Sequence, residues 1–353
     1  MRVGISLLTL ASGELGGSAT SARQLVRALA SAGTLDYVVF VPAQAKDAAG
    51  GLPAVEVHAH PTDSPWPHRV GARALAAFRS RRVHTRLDEV DAVHYALASP
   101  EPKTDVPTVV TLHDVQHRAL PDFFGPARRS YQQNAYDRAA RAADAVVVPT
   151  EFVRDRVREL LELDGTRVHV IPPGLNQTVF RPGEDAREPF ILYPARPWPH
   201  KNHARLFEAF AILRKTRPKL RLILTGDGLD RLGHLPDGVE RWGVVADAEL
   251  ASLYRRAACL VYPSLYEGFG LPPLEAMACG CPVAAASAGA IPEAVGEAAV
   301  LFDPLDPEGM AEAILETDDR RAELRELGLA RAEGFTWAEA VRRHDELYRS
   351  LSR

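Results

Sequence analysis

The sequence has few cysteines and no long apolar run. Three cysteines occur among its 353 residues, Cys259, Cys279 and Cys281. None forms a Cys-x-x-Cys pair, so neither a disulfide framework nor a zinc site is indicated, and we expect all three to be small buried apolar residues. The N-terminal apolar stretch is too short for a secretory signal, and no later stretch is long enough to span a bilayer. We therefore expect a cytoplasmic protein.

An excess of basic residues is also missing. The 42 lysines and arginines are outnumbered by 46 acidic residues, which gives a formal net charge of -4. A domain that binds nucleic acid is typically basic, so this class is disfavoured. No Gly-x-Gly-x-x-Gly follows the first apolar run, and Gly226-Asp-Gly228 lacks the third glycine. A dinucleotide-dependent dehydrogenase is disfavoured for that reason.

The sequence does contain a repeated alternation of short apolar runs with amphipathic segments, which is typical of α/β domains with parallel sheets. In the first half, the pattern predicts a helix over 19–32 and strands over residues 3–8, 37–41, 92–95, 108–112, 145–148 and 168–171. In the second half, it predicts a helix from about His203 with Asn202 as its N-cap, and strands over residues 189–193, 220–225, 239–242, 259–262 and 282–286.

A turn-rich connection at 172–183 separates the two halves, with the proline and glycine density of an interdomain segment. We predict an N-terminal domain over 1–178, a C-terminal domain over 184–335 and a terminal helix within 336–353. Ligands in such sheets bind beyond the carboxyl ends of the strands.

The most informative motif is Glu267-Gly-Phe-Gly-Leu-Pro-Pro-Leu-Glu275. Its two prolines fit the first turn of a helix, so Glu275 should lie within that turn and Glu267 on the loop before it. Gly268 and Gly270 let backbone N–H groups approach a ligand, and a helix N-terminus favours negative charge. The motif therefore suits a sugar nucleotide, which presents phosphates and hydroxyls together.

With its flanking segments, Tyr-Pro-Ser-Leu-Tyr before it and Ala-Met-Ala-Cys-Gly-Cys-Pro-Val after it, this motif resembles the Glu-x7-Glu signature of retaining glycosyltransferase family 4. The resemblance covers nearly the whole chain. It implies the GT-B fold, in which two Rossmann-like parallel-sheet domains face each other across a cleft and the terminal helix crosses back to the N-terminal domain. It assigns the donor-sugar hydroxyls to Glu267 and donor binding, including the ribose diol, to Glu275, with Gly268, Phe269, Gly270 and Leu271 also at the donor.

A second motif, Arg196-Pro-Trp-Pro-His-Lys201, follows a predicted strand. Fixed cations aimed at phosphate oxygens stabilise a leaving nucleoside diphosphate. The resemblance carries this role onto Arg196 and Lys201, which we predict as catalytic residues together with Glu267. The chain has no Asp-x-Asp, the motif with which the other large glycosyltransferase fold holds a metal. We therefore expect transfer without a metal or other cofactor.

Two N-terminal features complete the predicted site. Gly16 and Gly17 precede a predicted helix, where the resemblance places them at the donor diphosphate, although a plain tight turn is an equal alternative. His113 ends an apolar strand, where this family has a histidine near the reacting sugar, and we predict it as catalytic. Asp114 and His117 are predicted on the acceptor side, in a loop similar to that of bacterial mannosyl- and rhamnosyl-type members.

The predicted activity is transfer of a hexose, with retention of configuration, from a GDP- or UDP-sugar to a sugar, glycolipid or small-molecule acceptor. Polysaccharide, glycolipid or glycoside biosynthesis is the expected setting. A non-catalytic nucleotide-sugar-binding protein and a GT-B-fold nucleotide-sugar epimerase stay open as alternatives. The basic segment 68–86 has arginines at helical spacing, which fits either a solvated helix face or a peripheral contact with anionic lipid at the inner membrane face.

Overall fold

The computed structural model describes residues 1–10, 17–57, 87, 89–98 and 104–351. The chain divides into two compact units, the first formed by Met1–Gly174 with Trp337–Arg353 and the second by Leu175–Thr336. Residues 179–183, which separate the two predicted domains, therefore lie inside the second unit, and the terminal helix belongs to the first. Gly16 and the basic segment 68–86 lie outside the described residues, so their predicted roles stay predictions.

The first unit is built on a parallel sheet. In chain order, its described strands are β1 (Arg2–Ser6), β2 (Asp36–Pro42), β3 (Ala54–Val57), β4 (Ala92–Tyr95), β5 (Thr108–Thr111), β6 (Ala145–Val148) and β7 (Val168–Val170). They lie in the order β3-β2-β1-β4-β5-β6-β7. The helices described before residue 174 are α1 (Gly17–Ala32), α2 (Gln116–Ala119), α3 (Pro126–Gln132), α4 (Arg138–Ala142) and α5 (Glu151–Leu161), with a π-helical turn, Gln133–Asp137, between α3 and α4.

The central strands of this sheet are buried on both faces. Successive side chains of a strand point to opposite faces, so Val39 and Val41 of β2 lie in the core that includes α1, whereas Val38 and Phe40 lie in the core on the other face. Burying each such side chain stabilises the fold by about 1.5–3 kcal/mol. This two-sided burial is the reason that β2 is a continuous apolar run in the sequence.

The second unit repeats the same design. Its strands are β8 (Phe190–Pro194), β9 (Arg221–Thr225), β10 (Val239–Gly243), β11 (Cys259–Tyr262), β12 (Val283–Ala286) and β13 (Val300–Phe302), in the order β10-β9-β8-β11-β12-β13 and all parallel. Its helices are α6 (His203–Thr216), α7 (Asp247–Arg256), α8 (Leu271–Ala278), α9 (Ile291–Val295), α10 (Pro307–Asp319) and α11 (Arg321–Glu333). The last helix of the chain, α12 (Trp337–Ser350), belongs to the first unit.

These two units confirm the predicted α/β fold class. The predicted strands are present, with ends that shift by about one or two residues. Two strands, β3 and β13, were not predicted; both lie at the edge of their sheet and are short. The side chains of β3 are exposed or half-buried, so its sequence lacks the apolar run that marks a central strand. The three cysteines are free and buried, as predicted.

Helix α12 is held to the first unit by a buried carboxylate. Asp345 is 2% exposed and accepts hydrogen bonds from the backbone N–H and the hydroxyl of Thr34, at 2.9 and 2.5 Å. It also accepts a hydrogen bond from the hydroxyl of Tyr37, whose pKa is raised by burial and by this bond. Because Thr34 and Tyr37 flank the start of β2, the side chain of Asp345 joins α12 to the first residues of that strand.

A second polar contact of α12 reaches the centre of the sheet. The hydroxyl of Tyr348 lies 2.6 Å from Nδ1 of His94 on β4, and Nε2 of His94 lies 2.7 Å from the hydroxyl of Thr111 at the end of β5. The ring of His344 stacks on that of His94 with 5.5 Å between centroids. Burial lowers the pKa of both histidines, that of His344 to about 4, so both rings are neutral near pH 7.

Among the described residues, no helix has the length and apolarity that crossing a bilayer requires.

Candidate active site

The second unit brings two predicted catalytic residues into direct contact. Lys201 follows β8 and Glu267 follows β11, two neighbouring parallel strands, so both lie at the carboxyl edge of the sheet. The order of the strands reverses between β8 and β11, which is where ligands bind in sheets of this kind. The ammonium of Lys201 lies 2.6 Å from Oε1 of Glu267, and the two side chains are only 14% and 15% exposed. The sequence predicted both residues but not this pair.

The surroundings of Glu267 keep it ionised. Burial on its own raises the pKa of the carboxyl group, but the charge of Lys201 and hydrogen bonds from Lys201 and Ser264 outweigh burial, so the pKa is lowered. The backbone carbonyl of Glu267 accepts a hydrogen bond from Ala290 at 3.0 Å. Gly289 has a φ of +60°, and a Cβ there would lie 2.8 Å from the nitrogen of Glu267. The glycine thus permits the chain after β12 to support the Glu267 loop.

Two tyrosines, Tyr193 and Tyr262, contact Lys201 and hold it in position. The hydroxyl of Tyr193 donates a hydrogen bond to the Lys201 carbonyl at 2.7 Å, and the ammonium of Lys201 lies 5.6 Å from the ring centroid of Tyr262. The next residue, Asn202, has a φ of +60°, and its side-chain amide donates to the carbonyls of Pro263 and Pro304 at 3.1 and 2.7 Å. Asn202 is the N-cap residue of α6, as predicted, but its side chain makes no capping hydrogen bond because it joins two loops instead.

Arg196 lies on the same edge of the sheet, just after β8. Its guanidinium is 3.3 Å from a carboxylate oxygen of Asp227, which follows β9, and 5.7 Å from the ring centroid of Trp198. The side chain of Arg196 is 29% exposed and that of Asp227 59%. A surface pair of this kind contributes little to stability, so Arg196 is free to leave Asp227 for a phosphate at small cost.

Glu275 lies one turn deeper than predicted. Helix α8 begins at Leu271, after Gly270 with a φ of +111°, so Glu275 is its fifth residue and not part of the first turn. Its carboxyl group accepts a hydrogen bond from the hydroxyl of Tyr254 on α7 at 3.1 Å. Burial raises the pKa of Glu275 to about 7, although the bond from Tyr254 opposes that shift. The two glutamates of the motif therefore differ in charge near neutral pH.

Replacement of Glu275 by glutamine should remove a pH dependence of stability. Between its ordinary pKa of 4.5 and about 7, the unfolded chain has released the proton while the folded chain still holds it, so stability falls as pH rises through this window. The full loss is about 3 kcal/mol for a shift of this size. We expect the stability of Glu275→Gln relative to wild type to increase by about that amount from pH 4.5 to pH 8 in urea unfolding. Glu297→Gln, at an exposed position, is the matched control, and an equal pH trend in both variants would refute the assignment.

Between the two glutamates, the side chains of Phe269 and Leu271 pack into the core of the second unit. The side chain of Phe269 is 9% exposed and packs edge-on against Phe335, with 5.5 Å between ring centroids. Leu271 is half-buried and packs against the same core. At Phe269, only the backbone is left to meet a ligand, as at Gly268 and Gly270. We therefore expect the predicted donor contacts of Gly268, Phe269 and Gly270 to be made by their backbone.

In the first unit, His113 follows β5 at the carboxyl edge of the sheet. Burial lowers its pKa, opposed by the charge of Asp114 and by a hydrogen bond with the Ala96 backbone. Its Nε2 atom is buried and has no hydrogen-bond partner among the described residues. A buried nitrogen of this kind normally has a partner, so we expect one outside the described residues or in a ligand. Thr111, two residues earlier, is the residue that His94 contacts.

The two predicted acceptor-side residues have structural partners. Asp114 accepts a hydrogen bond from the backbone N–H of Gln116 at 2.9 Å, which stabilises the start of α2. His117 is 1% exposed and its Nε2 lies 2.9 Å from Asp137, which is fully buried and also binds Arg118. The ring of His117 is thus enclosed beside Asp137 and Arg118, and its predicted acceptor contact stays a prediction.

Gly17, the described member of the predicted glycine pair, begins α1, and a Cβ at this position would meet no atom of the described residues within 4 Å. Contacts with those residues therefore give no steric reason for glycine. The described residues hold no group of three or more histidine, cysteine, aspartate or glutamate side chains placed to hold a metal ion.

Sequence reasoning missed Ser264, Tyr254 and Asp227, each of which contacts a predicted site residue. Ser264 and Asp227 each stand two residues beyond the end of a strand, which is a usable signal in a parallel sheet. Tyr254 lies inside α7, and nothing in its local sequence distinguishes it from a core tyrosine.

Two family models match the chain. One, described as Glycosyltransferase Family 4, matches residues 15–179, and the other, described as Glycosyl transferases group 1, matches residues 188–318. Among relatives, an O-antigen chain mannosyltransferase B of Escherichia coli is 31% identical over 69% of this chain and 70% of its own length. A D-inositol 3-phosphate glycosyltransferase of Thermobispora bispora is 30% identical over 95% of this chain and 90% of its own length.

Solved structures show the same fold. Sucrose-phosphate synthase of Thermosynechococcus elongatus aligns with a TM-score of 0.83 at 23% identity, covering 99% of this chain and 98% of that one. HepE of Anabaena, solved in complex with UDP-glucose, aligns with a TM-score of 0.73 at 18% identity, covering 99% of this chain and 100% of that one. These likenesses confirm the predicted GT-B fold, and the family models together with the relatives establish that the chain belongs to glycosyltransferase family 4.

Proposed function

We propose that this glycosyltransferase moves a hexose from a nucleoside-diphosphate sugar to an acceptor hydroxyl, with retention of configuration and without a metal ion. The observation that carries the proposal is the Lys201–Glu267 pair, in which a mostly buried cation contacts an ionised carboxylate at the carboxyl edge of the second sheet. Support for the donor class comes from HepE, which was solved with UDP-glucose. Support for a mannosyl donor comes from the mannosyltransferase among the relatives.

The roles follow from charge. When the donor binds, the ammonium of Lys201 and the guanidinium of Arg196 turn from their carboxylate partners to the diphosphate oxygens, where they stabilise the charge that develops as the bond to the sugar breaks. Glu267, released from Lys201 but still ionised, accepts hydrogen bonds from the sugar hydroxyls. Glu275 accepts from the ribose hydroxyls. A carboxylate accepts such bonds better than a carboxylic acid, so donor binding favours the ionised form of Glu275.

Retention is proposed to occur by attack on the face from which the diphosphate leaves. The bond between the anomeric carbon and the phosphate oxygen breaks, the acceptor oxygen bonds to the same carbon, and the acceptor proton passes to the departing phosphate oxygen. Glu267 is assigned to the sugar hydroxyls and not to the anomeric carbon, so a covalent glycosyl intermediate of the kind formed by retaining glycosidases is not invoked. His113, whose Nε2 has no hydrogen-bond partner in the described part of the chain, is assigned to the reacting sugar.

Incubation of the protein with UDP-, GDP- and dTDP-hexoses in EDTA tests this proposal. We expect one donor to give a thermal shift and release of nucleoside diphosphate, with an α-linked product from an α-linked donor when an acceptor is present. Conversion of the donor sugar without release of diphosphate would instead identify an epimerase. A thermal shift with neither reaction, across a panel of sugar, glycolipid and small-molecule acceptors, would identify a binding protein. Activity that appears only when a divalent metal is added back would overturn metal independence.

A further inference from the structure

A cavity in the second unit is lined by basic residues that the donor site does not use. It has a volume of about 310 Å³, and four arginines line it: Arg187, Arg255, Arg321 and Arg325. Asp185 and Cys279 are also at its wall. The volume is at the lower end of the range for small-molecule sites, which is large enough for a compact metabolite.

The charges around this arginine cavity do not cancel. The lining contains four arginines but one carboxylate, Asp185, which pairs with Arg255. Arg321 donates to Asp318, just outside the lining, at 2.5 Å. Burial raises the pKa of the Cys279 thiol to about 12, so it stays protonated and adds no negative charge. An excess of positive charge therefore remains at the wall.

Arg187 has a structural role, whereas Arg325 has no polar partner among the described residues. Arg187 donates to the carbonyls of Ala257 and Gly280, each at 2.5 Å, and these carbonyls lie just past the C-terminal ends of α7 and α8. A cation there stabilises the helix ends, which accounts for Arg187. Arg325, on α11, is exposed and makes no hydrogen bond or ion pair with any residue that the structure describes. Its guanidinium is left for a ligand.

We propose that the arginine cavity binds the phosphate group of a small phosphorylated metabolite, with Arg325 and Arg321 as the principal contacts. The planar fork of arginine matches phosphate oxygens in pairs, which a lysine cluster would not do. The occupant would touch α7 and the end of α8, the two helices that carry Tyr254 and Glu275. The site is distinct from the Lys201–Glu267 pair, and the proposal does not depend on the proposed transfer reaction.

Isothermal titration calorimetry of the full chain with glucose 6-phosphate tests this site, with glucose as the uncharged control. We expect saturable binding of glucose 6-phosphate that glucose does not reproduce. Arg325→Ala should weaken that binding by at least about tenfold, because a hydrogen bond to a charged group is lost, and Arg325→Glu should abolish it. Because Arg325 is exposed and unpaired among the described residues, both variants should keep the thermal stability of wild type.

Two further variants separate this site from the donor site. Lys219→Ala removes a cation from an exposed position of the same unit, so it should bind glucose 6-phosphate as wild type does. Lys201→Ala should also retain this binding, although it loses donor contacts. Binding that is lost in Lys201→Ala and kept in Arg325→Ala would place the anion at the donor site and overturn the proposal. So would the absence of any phosphate-dependent binding in wild type.

Discussion

Replacing Glu267 with alanine should lower the turnover number by about 10²–10³-fold, the size expected when one preorganised electrostatic contact to the transition state is lost. The carboxylate is ionised and mostly buried, so its removal takes away a preorganised negative charge from the site. It also leaves Lys201 without its ionic partner. Steady-state rates with the donor found by the sugar-nucleotide panel would measure the loss.

Lys201→Ala should cause a loss of similar size, and the double variant should lose far less than the product of the two single effects. Residues in contact that act as a unit are not additive, and here the contact is a 2.6 Å ion pair. Glu297→Ala, at an exposed position of the same unit, is the control and should have the wild-type rate. Near-normal turnover in both Glu267→Ala and Lys201→Ala would refute the site, provided both variants show wild-type circular dichroism.

Replacing Asp345 with alanine should have the largest effect on stability, about 3 kcal/mol for the first unit, because it leaves three donors without their acceptor, of which only the Tyr37 hydroxyl is buried. These donors are the backbone N–H and hydroxyl of Thr34 and the hydroxyl of Tyr37. Urea unfolding followed by circular dichroism would measure the change, with the transition of the second unit as an internal reference.

Two variants serve as controls for Asp345→Ala. Asp345→Asn keeps one acceptor oxygen and should lose less stability. Glu346→Ala removes an exposed carboxylate of the same helix that pairs with Arg342, and surface pairs contribute about 0–1 kcal/mol. If Asp345→Ala and Glu346→Ala destabilised the unit equally, the buried carboxylate would not be what holds α12 in place.

Much of the fold could be read from local sequence. Strands such as β2 and β11 are buried on both faces, so their apolar runs are continuous and their positions follow directly. The glycines and prolines of the Glu267 motif determined where a loop ends and α8 begins, although the position of Glu275 was assigned one turn too early. The edge strand β3 has no such pattern, because an edge strand needs fewer buried side chains, and β13 is apolar but only three residues long.

The site was predictable as a set of residues but not as a set of contacts. Lys201 and Glu267 are 66 positions apart, and they meet only because β8 and β11 are neighbours in the sheet. Sequence reasoning gave both residues the strand-end location that a ligand site requires. His117 was predicted only from its similarity to an acceptor-side loop, and that similarity did not indicate that the ring is buried against Asp137.

The sequence by itself determined most of the strands, which residues stand at their ends and which family motifs are present, since these depend on residues close together in the chain. Tertiary structure alone decided the charge of each acid and the partner of each polar group. The pKa of Glu267 is lowered because it is buried beside an ammonium, whereas that of Glu275 is raised because burial outweighs its hydrogen bond from Tyr254. Asp345 reaches Thr34 across 311 positions for the same reason: burial and charge depend on which groups are neighbours in space, and strand order and crossovers determine those neighbours.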